Sequence, residues 1–388
     1  MMRDESVTYK AFNHVVIAGQ MPPPIGGQNI NIKRVHDLLT KEEDLCVSHL
    51  KFEFTKEWTG ARRLGIHKVL ELVKVMGRAL RIRKKAPIDF LLYPAGGPHT
   101  IPIIRDWILL PLLALLSKRV VVHFRAAGLN ERLANSSGWF RYLTRTIYRS
   151  CASDAVVLAE YGKRDAEAAG IERVSVLPNA FEDQALGGYE RENLGVASIL
   201  SVGHLCADKG SPQLIEAFGR LANQYSNARL VLVGEPLAPY TEKQLLADID
   251  RTGVAEKIEW KGVLTGDDLA MMYKKADLFV FSSVAPYESF GMVLIEAMQW
   301  SLPVVVTDWR ANVSVCGEGF GGIIALYPEK DLVNSLERAL IDALEQRNVW
   351  TEWGEKNRQL YNEQYTTEQL RHNLRKLISE YQHENVVV

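Results

Sequence analysis

Two glutamates, Glu288 and Glu296, bracket a glycine at 291 in VAPYESFGMVLIEAM, and a lysine at 209 precedes Gly210 in HLCADKGSPQLIEAF. Leu278–Ser282 reads as a strand and Val293–Trp300 as a helix, so the first segment is a strand–loop–helix junction. Gly291 lets backbone approach closely, and the free N–H groups opening the helix suit a phosphate. A carboxylate beside that phosphate cannot bind it; its natural partners are hydroxyls, which donate to an acceptor-only group. One glutamate near ribose hydroxyls and one near a sugar would account for both. The plain alternative makes Glu296 a solvated helix residue and Glu288 an ordinary loop acid. The apolar neighbours Leu294, Ile295, Ala297 and Met298 count against a solvated Glu296. In the second segment Ser211 is a good N-cap and Pro212 suits the first helical position. Lys209 then adds a point charge to a helix N-terminus, where it would neutralise a diphosphate leaving group. Alone it would read as a solvated turn lysine; two anion-suited loops in one sheet argue for more.

The first half of the chain offers fewer such groups. His123 ends the strand Val120–His123 and is followed by Phe124, Arg125, Ala126, Ala127 and Gly128. A histidine opening a loop at a strand's carboxyl end is placed to hydrogen-bond a substrate; one satisfied by backbone is the alternative. Arg125 is within reach of an anionic group nearby. In AGQMPPPIGGQN, Gly26 and Gly27 let backbone approach a phosphate or sugar, or simply form a turn after prolines. No G-x-G-x-x-G fingerprint, G-x-x-x-x-G-K-[ST] loop or G-x-S-x-G elbow is present.

These residues need rigid elements behind them. Short β-branched runs recur at Val15–Ala18, Phe90–Tyr93, Val120–His123, Ala155–Ala159, Ile199–Gly203, Arg229–Gly234, Lys257–Trp260, Leu278–Ser282 and Val304–Thr307. Each is followed by a helical pattern, which predicts parallel sheets with helices on both faces. Ligands of such sheets sit beyond the strands' carboxyl ends. A length of 388 residues suits two domains. The aperiodic stretch Glu182–Asn193 marks the linker, giving domains of 1–188 and 189–365 and a terminal helix in 366–388. Leu370, Leu374 and Leu377 form the apolar face of that helix.

The hydrophobic fraction of 47% and charged fraction of 24% are those of a soluble globular chain. Cys46, Cys151, Cys206 and Cys316 show no paired spacing, which argues against a disulfide framework or zinc site and fits a reducing cytosol. The polar N-terminus MMRDESVTYKAFN predicts no secretory leader and hence a cytoplasmic protein. Residues 1–185 hold 27 Lys+Arg against 19 Asp+Glu, and the remainder 19 against 28. Either the first half meets an anionic partner, or two domains of opposite sign match each other. Residues 61–86 hold nine Lys+Arg and one acid, with Val69, Leu72, Val73, Met76 and Leu80 at helical spacing. Such a helix lies on an anionic membrane or packs on the sheet with a solvated basic face. The apolar run Trp107–Leu116 is far short of the roughly 20 residues of a spanning helix, so a buried helix is expected there, an interfacial one being the alternative.

SVGHLCADKGSPQLIEAF, LVLVGE, GVLTGDDLAMMYKKADLFVFSS and ESFGMVLIEAMQWSLPVVV together resemble the retaining glycosyltransferases commonly called family 4. The resemblance covers most of residues 195–345. It implies an α/β fold of the GT-B kind, with two facing Rossmann-like domains, parallel sheets and an interdomain cleft. It also implies a nucleotide-sugar donor with no cofactor and no required metal, no nucleic-acid partner, and a glycan or lipid-linked acceptor. Residue by residue, Lys209 matches the lysine on the donor diphosphate and Glu288 the glutamate near the donor sugar. Phe290 and Gly291 match the backbone beside it, and Glu296 the glutamate on the ribose. Asn179 in LPNAF matches the asparagine of the hinge-proximal loop. Gly203, in SVGHLCADKG, counts with Gly26 and Gly27 among the expected donor-binding residues, and His123 matches the histidine next to the donor sugar. His204 stands where the family usually has arginine, exchanging a permanent charge for a partial one. Pro236 and Ser301 stand where glycines are common.

Retention by double displacement needs a carboxylate under the anomeric carbon. None is clearly placed here, and the resemblance implies same-face substitution with the departing phosphate taking the acceptor's proton. A hexosyl donor carried on UDP, for bacterial surface polysaccharide or glycolipid synthesis, is the expectation, with peripheral membrane contact through 61–86. The rivals are a sugar-nucleotide epimerase of the same architecture and a sugar-nucleotide-binding protein weakened in catalysis.

Overall fold

The computed structural model describes residues 14–23, 27–54, 66–185, 197–326 and 331–383, without the side chains of 66–68 and 381–383. The polar start (1–13), Gly26, residues 61–65 of the basic stretch and residues 186–193 of the expected linker lie outside the described residues. The chain divides into two compact units. One takes the described residues within Met1–Val157, Lys163–Leu177 and Arg371–Val388, the other those within Leu158–Gly162 and Pro178–Leu370.

The first unit runs β1 (His14–Gly19), α1 (Gly27–Thr40), β2 (Cys46–Lys51), α2 (Ile66–Lys85), β3 (Ile88–Pro94) and α3 (Thr100–Ala114). It continues through β4 (Ser117–Phe124), α4 (Leu129–Ala134), α5 (Gly138–Cys151), β5 (Asp154–Val157), α6 (Lys163–Ala168) and β6 (Val174–Val176). Its six strands are parallel in the order β2-β1-β3-β4-β5-β6. Val15–Ala18, Phe90–Tyr93 and Val120–Val122 are fully buried, because side chains alternate between two covered faces. Val16, Leu91, Tyr93, Val120 and Val122 face the layer of α2, α3 and α5. On the other face Ile17, Leu92 and His123 meet Ile32 and Val35 of α1.

The second unit runs β7 (Ala197–Val202), α7 (Ser211–Ala222), β8 (Ala228–Val233), α8 (Glu242–Arg251), β9 (Ile258–Trp260), α9 (Gly266–Lys275) and β10 (Leu278–Phe281). Then follow α10 (Met292–Gln299), β11 (Val304–Thr307), α11 (Asn312–Cys316), β12 (Gly322–Ala325), α12 (Leu332–Glu345) and α13 (Trp350–Gln364). Its parallel sheet has the order β12-β11-β10-β7-β8-β9, the doubly wound arrangement whose direction reverses between β7 and β10. Leu278 and Val280 enter one core and Phe279 and Phe281 the other, so one short strand serves both helix layers. Both units are therefore Rossmann-like α/β folds.

The last helix, α14 (Thr367–His383), buries Leu370, Leu374 and Leu377. From Arg371 onward it belongs to the first unit, where Arg371 and Arg375 pair with Glu42 and Asp44. The described part of the expected linker, 182–185, belongs to the second unit and is anchored there by the ion pair of Asp183 with Arg358. The four cysteines are unpaired. No described helix is long and apolar enough to cross a membrane.

Candidate functional site

The point where the second sheet changes direction gathers the polar loops. After β7 the chain makes a short 3-10 turn, Ala207–Lys209, and enters α7; after β10 the loop 282–290 leads into α10. Both helices begin with a glycine in the left-handed region, Gly210 at φ 69° and Gly291 at φ 68°. A Cβ at 210 would stand 2.2 Å from the Ser282 carbonyl oxygen, so only glycine lets the two loops lie together. This displaces the expected cap: Gly210 is the N-cap, and the Ser211 hydroxyl instead accepts from the Cys206 amide at 3.2 Å. The loops are tied by Ser282 Oγ donating to the Lys209 carbonyl at 2.8 Å and the Val284 amide donating to the Asp208 carbonyl at 2.9 Å.

Through this junction Lys209 and Glu288, 79 residues apart, meet: Lys209 Nζ donates to Glu288 Oε2 at 2.6 Å. Ser283 Oγ donates to the same oxygen at 2.7 Å, and the Gly291 amide to Oε1 at 3.2 Å. Ser283 is itself fixed, since its carbonyl accepts from Thr307 Oγ1 and Asn312 Nδ2 at 2.6 and 3.0 Å, all three residues being fully buried. Burial pulls the Lys209 ammonium's pKa down, but the charge and hydrogen bond of Glu288 outweigh it and raise the value above 10.5. Two unit charges about 4 Å apart attract by about 4 kcal/mol at an effective dielectric near 20. An ammonium has three donors, so one bond to Glu288 leaves two for an anion. Lys209 also lies 5.8 Å from the ring centres of both Phe281 and Tyr287.

Glu296, half-buried on α10, accepts from the Tyr273 hydroxyl of α9 at 2.6 Å. Burial first, and then this carboxylate, push the Tyr273 phenol well above its usual value, so it stays a donor. The structure thus brings Lys209 directly onto Glu288, while Glu296 is held one turn along the helix that Gly291 opens. Phe290 is a core residue, its ring 5.8 Å from that of Tyr365. Asn179 is buried. Gly203 sits at φ 142°, and its carbonyl leaves no room for a Cβ on Gly234. His204 is exposed, 3.8 Å from Glu235. At Ser301 the backbone keeps φ at 51°, the conformation a glycine would favour.

Sequence reasoning missed Ser282, Ser283, Thr307, Asn312 and Tyr273. Serine and threonine at strand ends carry no distinctive spacing, and Tyr273 is one aromatic among the apolar residues of a helix.

In the first unit His123 is buried at the end of β4, and its Nε2 has no hydrogen-bond partner among the described residues. It lines, with Arg125, Ile17, Leu92 and Pro94, a cavity of about 10 Å³, room for one water at most. Burial, and then the charge of Arg125, hold the imidazole well below 6.5, so it is neutral at pH 7. Burial and the neighbouring Arg34 bring Arg125 down to about 9, which leaves it cationic at neutral pH. Gly27 opens α1, its carbonyl accepting from Asn31 Nδ2 at 2.8 Å; its neighbour Gly26 lies outside the described residues. Among the described residues no group of three or more His, Cys, Asp or Glu side chains is arranged to hold a metal.

Residues 190–359, which contain β7 to α12 and with them Lys209, Glu288 and Glu296, match the family described as glycosyl transferases group 1. This stretch of the chain belongs to that family. The group 1 region is also similar to mannosylfructose-phosphate synthase of Agrobacterium fabrum, 34% identical over 179 residues. That match takes in 42% of this chain and 38% of the relative, so it spans well under half of the relative's length. Over nearly the whole chain the fold is that of solved GT-B glycosyltransferases. Sucrose-phosphate synthase from Thermosynechococcus elongatus superposes with a TM-score of 0.71 at 15% identity, covering 95% of this chain and 99% of that one. HepE of Anabaena, solved in complex with UDP-glucose, gives 0.65 at 15% identity with the same coverage.

Proposed function

We propose that the protein is a retaining glycosyltransferase that moves a hexosyl group from a nucleotide-diphosphate donor to a glycan or lipid-linked acceptor. The observation that carries the reading is the Lys209–Glu288 pair at the openings of α7 and α10, where β7 and β10 diverge. Two helix N-termini and an ammonium provide a positive potential for a departing diphosphate, already in place before charge develops. This is why no resident metal or cofactor is invoked. Glu288, its two oxygens taking three donors, is a poor candidate for a nucleophile, which supports same-face substitution over a covalent intermediate. In that step the acceptor oxygen bonds to the anomeric carbon on the face from which the phosphate oxygen leaves. The departing phosphate takes the acceptor's proton, yielding the glycoside and a nucleoside diphosphate. Glu288 orients the sugar, the backbone at Phe290 and Gly291 lies beside it, and Glu296 anchors the ribose. His123, neutral and with Nε2 available, hydrogen-bonds a sugar hydroxyl.

UDP is the favoured nucleotide, supported by HepE's complex with UDP-glucose. The basic character of residues 1–185 supports an anionic or lipid-linked acceptor, as in synthesis of a bacterial surface polysaccharide or glycolipid, with the protein peripheral on the inner face of the membrane. The deciding experiment incubates the protein with a panel of UDP-, GDP- and ADP-sugars. Release of free nucleoside diphosphate with retained anomeric configuration is expected. An interconverted sugar would instead indicate an epimerase, and binding without turnover a non-catalytic sugar-nucleotide protein.

A further inference from the structure

The layer of α2, α3 and α5 covers one face of the first sheet, with α3 packed between the other two. Trp107 of α3 ties it to α5: its ring lies 4.8 Å from that of Phe140 and 6.1 Å from that of Trp139, and its indole N–H donates to Thr144 Oγ1 at 3.1 Å. The inner sides of the helices supply Val75, Ala79, Ile103, Leu109, Leu110, Leu113, Phe140 and Tyr148 to the core. A surface helix would then be polar on its outer side. On these three the outer side mixes apolar groups with cations.

On α2 the outward stripe is Val69, Val73 and Leu80, spaced by one and two helical turns. On α3 it is Ile104, Ile108, Leu112 and, just past the helix, Leu115, which is 84% exposed. The expectation of a buried helix over Ile101–Leu116 therefore holds for one side only; the other is apolar and bare. On α5 the exposed groups include Trp139 and Tyr142, 65% and 73% exposed. Cations lie among them: Lys74, Arg81, Arg83, Lys84 and Lys85 on α2, and the stripe Arg141, Arg145 and Arg149 on α5. That stripe borders a groove of about 460 Å³, whose lining also includes Glu167 and Glu172, the latter 4.0 Å from Arg149. The acids within the three helices, Glu71 and Asp106, are buried and turned inward. Arg78 is taken up by Glu53 and Glu71.

We infer that the outer faces of α2, α3 and α5 form one docking surface for an anionic lipid bilayer, with Trp139 and Tyr142 entering the headgroup region and the arginines of α5 meeting lipid phosphates. Apolar stripes flanked by lysine and arginine, with an exposed tryptophan and tyrosine, match the chemistry of a membrane interface. A second copy of the chain fits poorly. A twofold contact would set this patch against itself, opposing arginine to arginine; the three helices carry no exposed carboxylate, and the neighbouring Glu172 is already drawn to Arg149 at 4.0 Å. The surface extends the contact expected of the basic stretch 61–86 alone, and makes α3 and α5 necessary parts of it. It does not depend on the transfer reaction.

The test is flotation of the whole protein, without donor, on vesicles of phosphatidylcholine alone or mixed with phosphatidylglycerol. Wild type should partition onto the anionic vesicles at least about tenfold better, and lose that preference at about 1 M salt. Trp139→Ser/Tyr142→Ser and, separately, Ile108→Ser/Leu115→Ser should each weaken binding by about tenfold. Arg141→Glu/Arg145→Glu should remove the preference for phosphatidylglycerol. Leu246→Ser/Val263→Ser, which remove exposed apolar groups of the second unit, should bind as wild type. All these positions are exposed, and circular dichroism would verify folding of each variant. Equal binding to both vesicle types, or loss confined to an α2 variant such as Val73→Ser/Leu80→Ser, would overturn the inference. So would a dimer in sedimentation velocity that the α5 substitutions dissolve while vesicles fail to bind.

Discussion

Both oxygens of Glu288 in the second unit are already occupied by the protein's own donors, whereas the buried Nε2 of His123 in the first has no partner among the described residues. The two strand-end sites therefore face a ligand differently. Around Glu288 the cost of ordering charges is met by folding, so on the proposed function an incoming diphosphate would find its environment prepared. At His123, on the proposed function, a ligand hydroxyl would supply the partner that Nε2 lacks among the described residues, an atom whose unpaired burial costs about 1–3 kcal/mol. The second site should thus show itself in turnover, the first in affinity and in acid stability.

The largest test of this contrast is Lys209→Ala and Glu288→Ala. On the proposed function each lowers the transfer rate by about 100-fold or more, with KM for the donor changed much less. Steady-state kinetics together with thermal unfolding would check it, and unchanged turnover in both variants would refute the assignment. Next is Gly210→Ala, which adds a Cβ 2.2 Å from the Ser282 carbonyl in a left-handed conformation. Loss of about 2–4 kcal/mol in urea unfolding is expected, because the two loops cannot then lie together.

For His123 the sign follows from its depressed value. The unfolded chain takes up a proton near pH 6.5 while the folded protein does not. Stability is therefore full above 6.5 and falls as pH drops towards the folded value, by up to about 1.4 kcal/mol per pH unit. His123→Gln should flatten that slope and raise the donor KM; urea titrations across the acid range would show a persisting slope if the histidine is not responsible. The smallest effect is expected from Tyr273→Phe, which removes one donor from half-buried Glu296. It should cost about 1 kcal/mol of stability and weaken nucleotide binding severalfold, read by thermal shift with UDP.

The fold was legible where strands are buried on both faces. Each of the nine apolar runs named from the sequence overlaps a strand, though Ala155–Ala159 runs past the end of β5 at Val157, and β2, β6 and β12 were not anticipated. Each is an edge strand of its sheet. An edge strand has one neighbour and needs no continuous apolar run: CVSHLK alternates with polar groups, and VSV is three residues long. Lys209, Glu288 and Glu296 could be singled out because glycines and helix openings beside them are visible locally. Their partners could not, since Ser283, Thr307 and Asn312 meet only through the sheet's parallel register.

By itself the sequence determined the α/β alternation, the glycines that open α7 and α10, and the residue types that gather there, because these depend on periodicity and local backbone freedom. Tertiary structure alone decided that Lys209 closes on Glu288 across 79 residues, that Gly210 rather than Ser211 caps α7, and that α3 keeps an apolar outer side. Each of those outcomes turns on which surfaces of distant segments come within a few ångströms, a quantity that no spacing along the chain encodes.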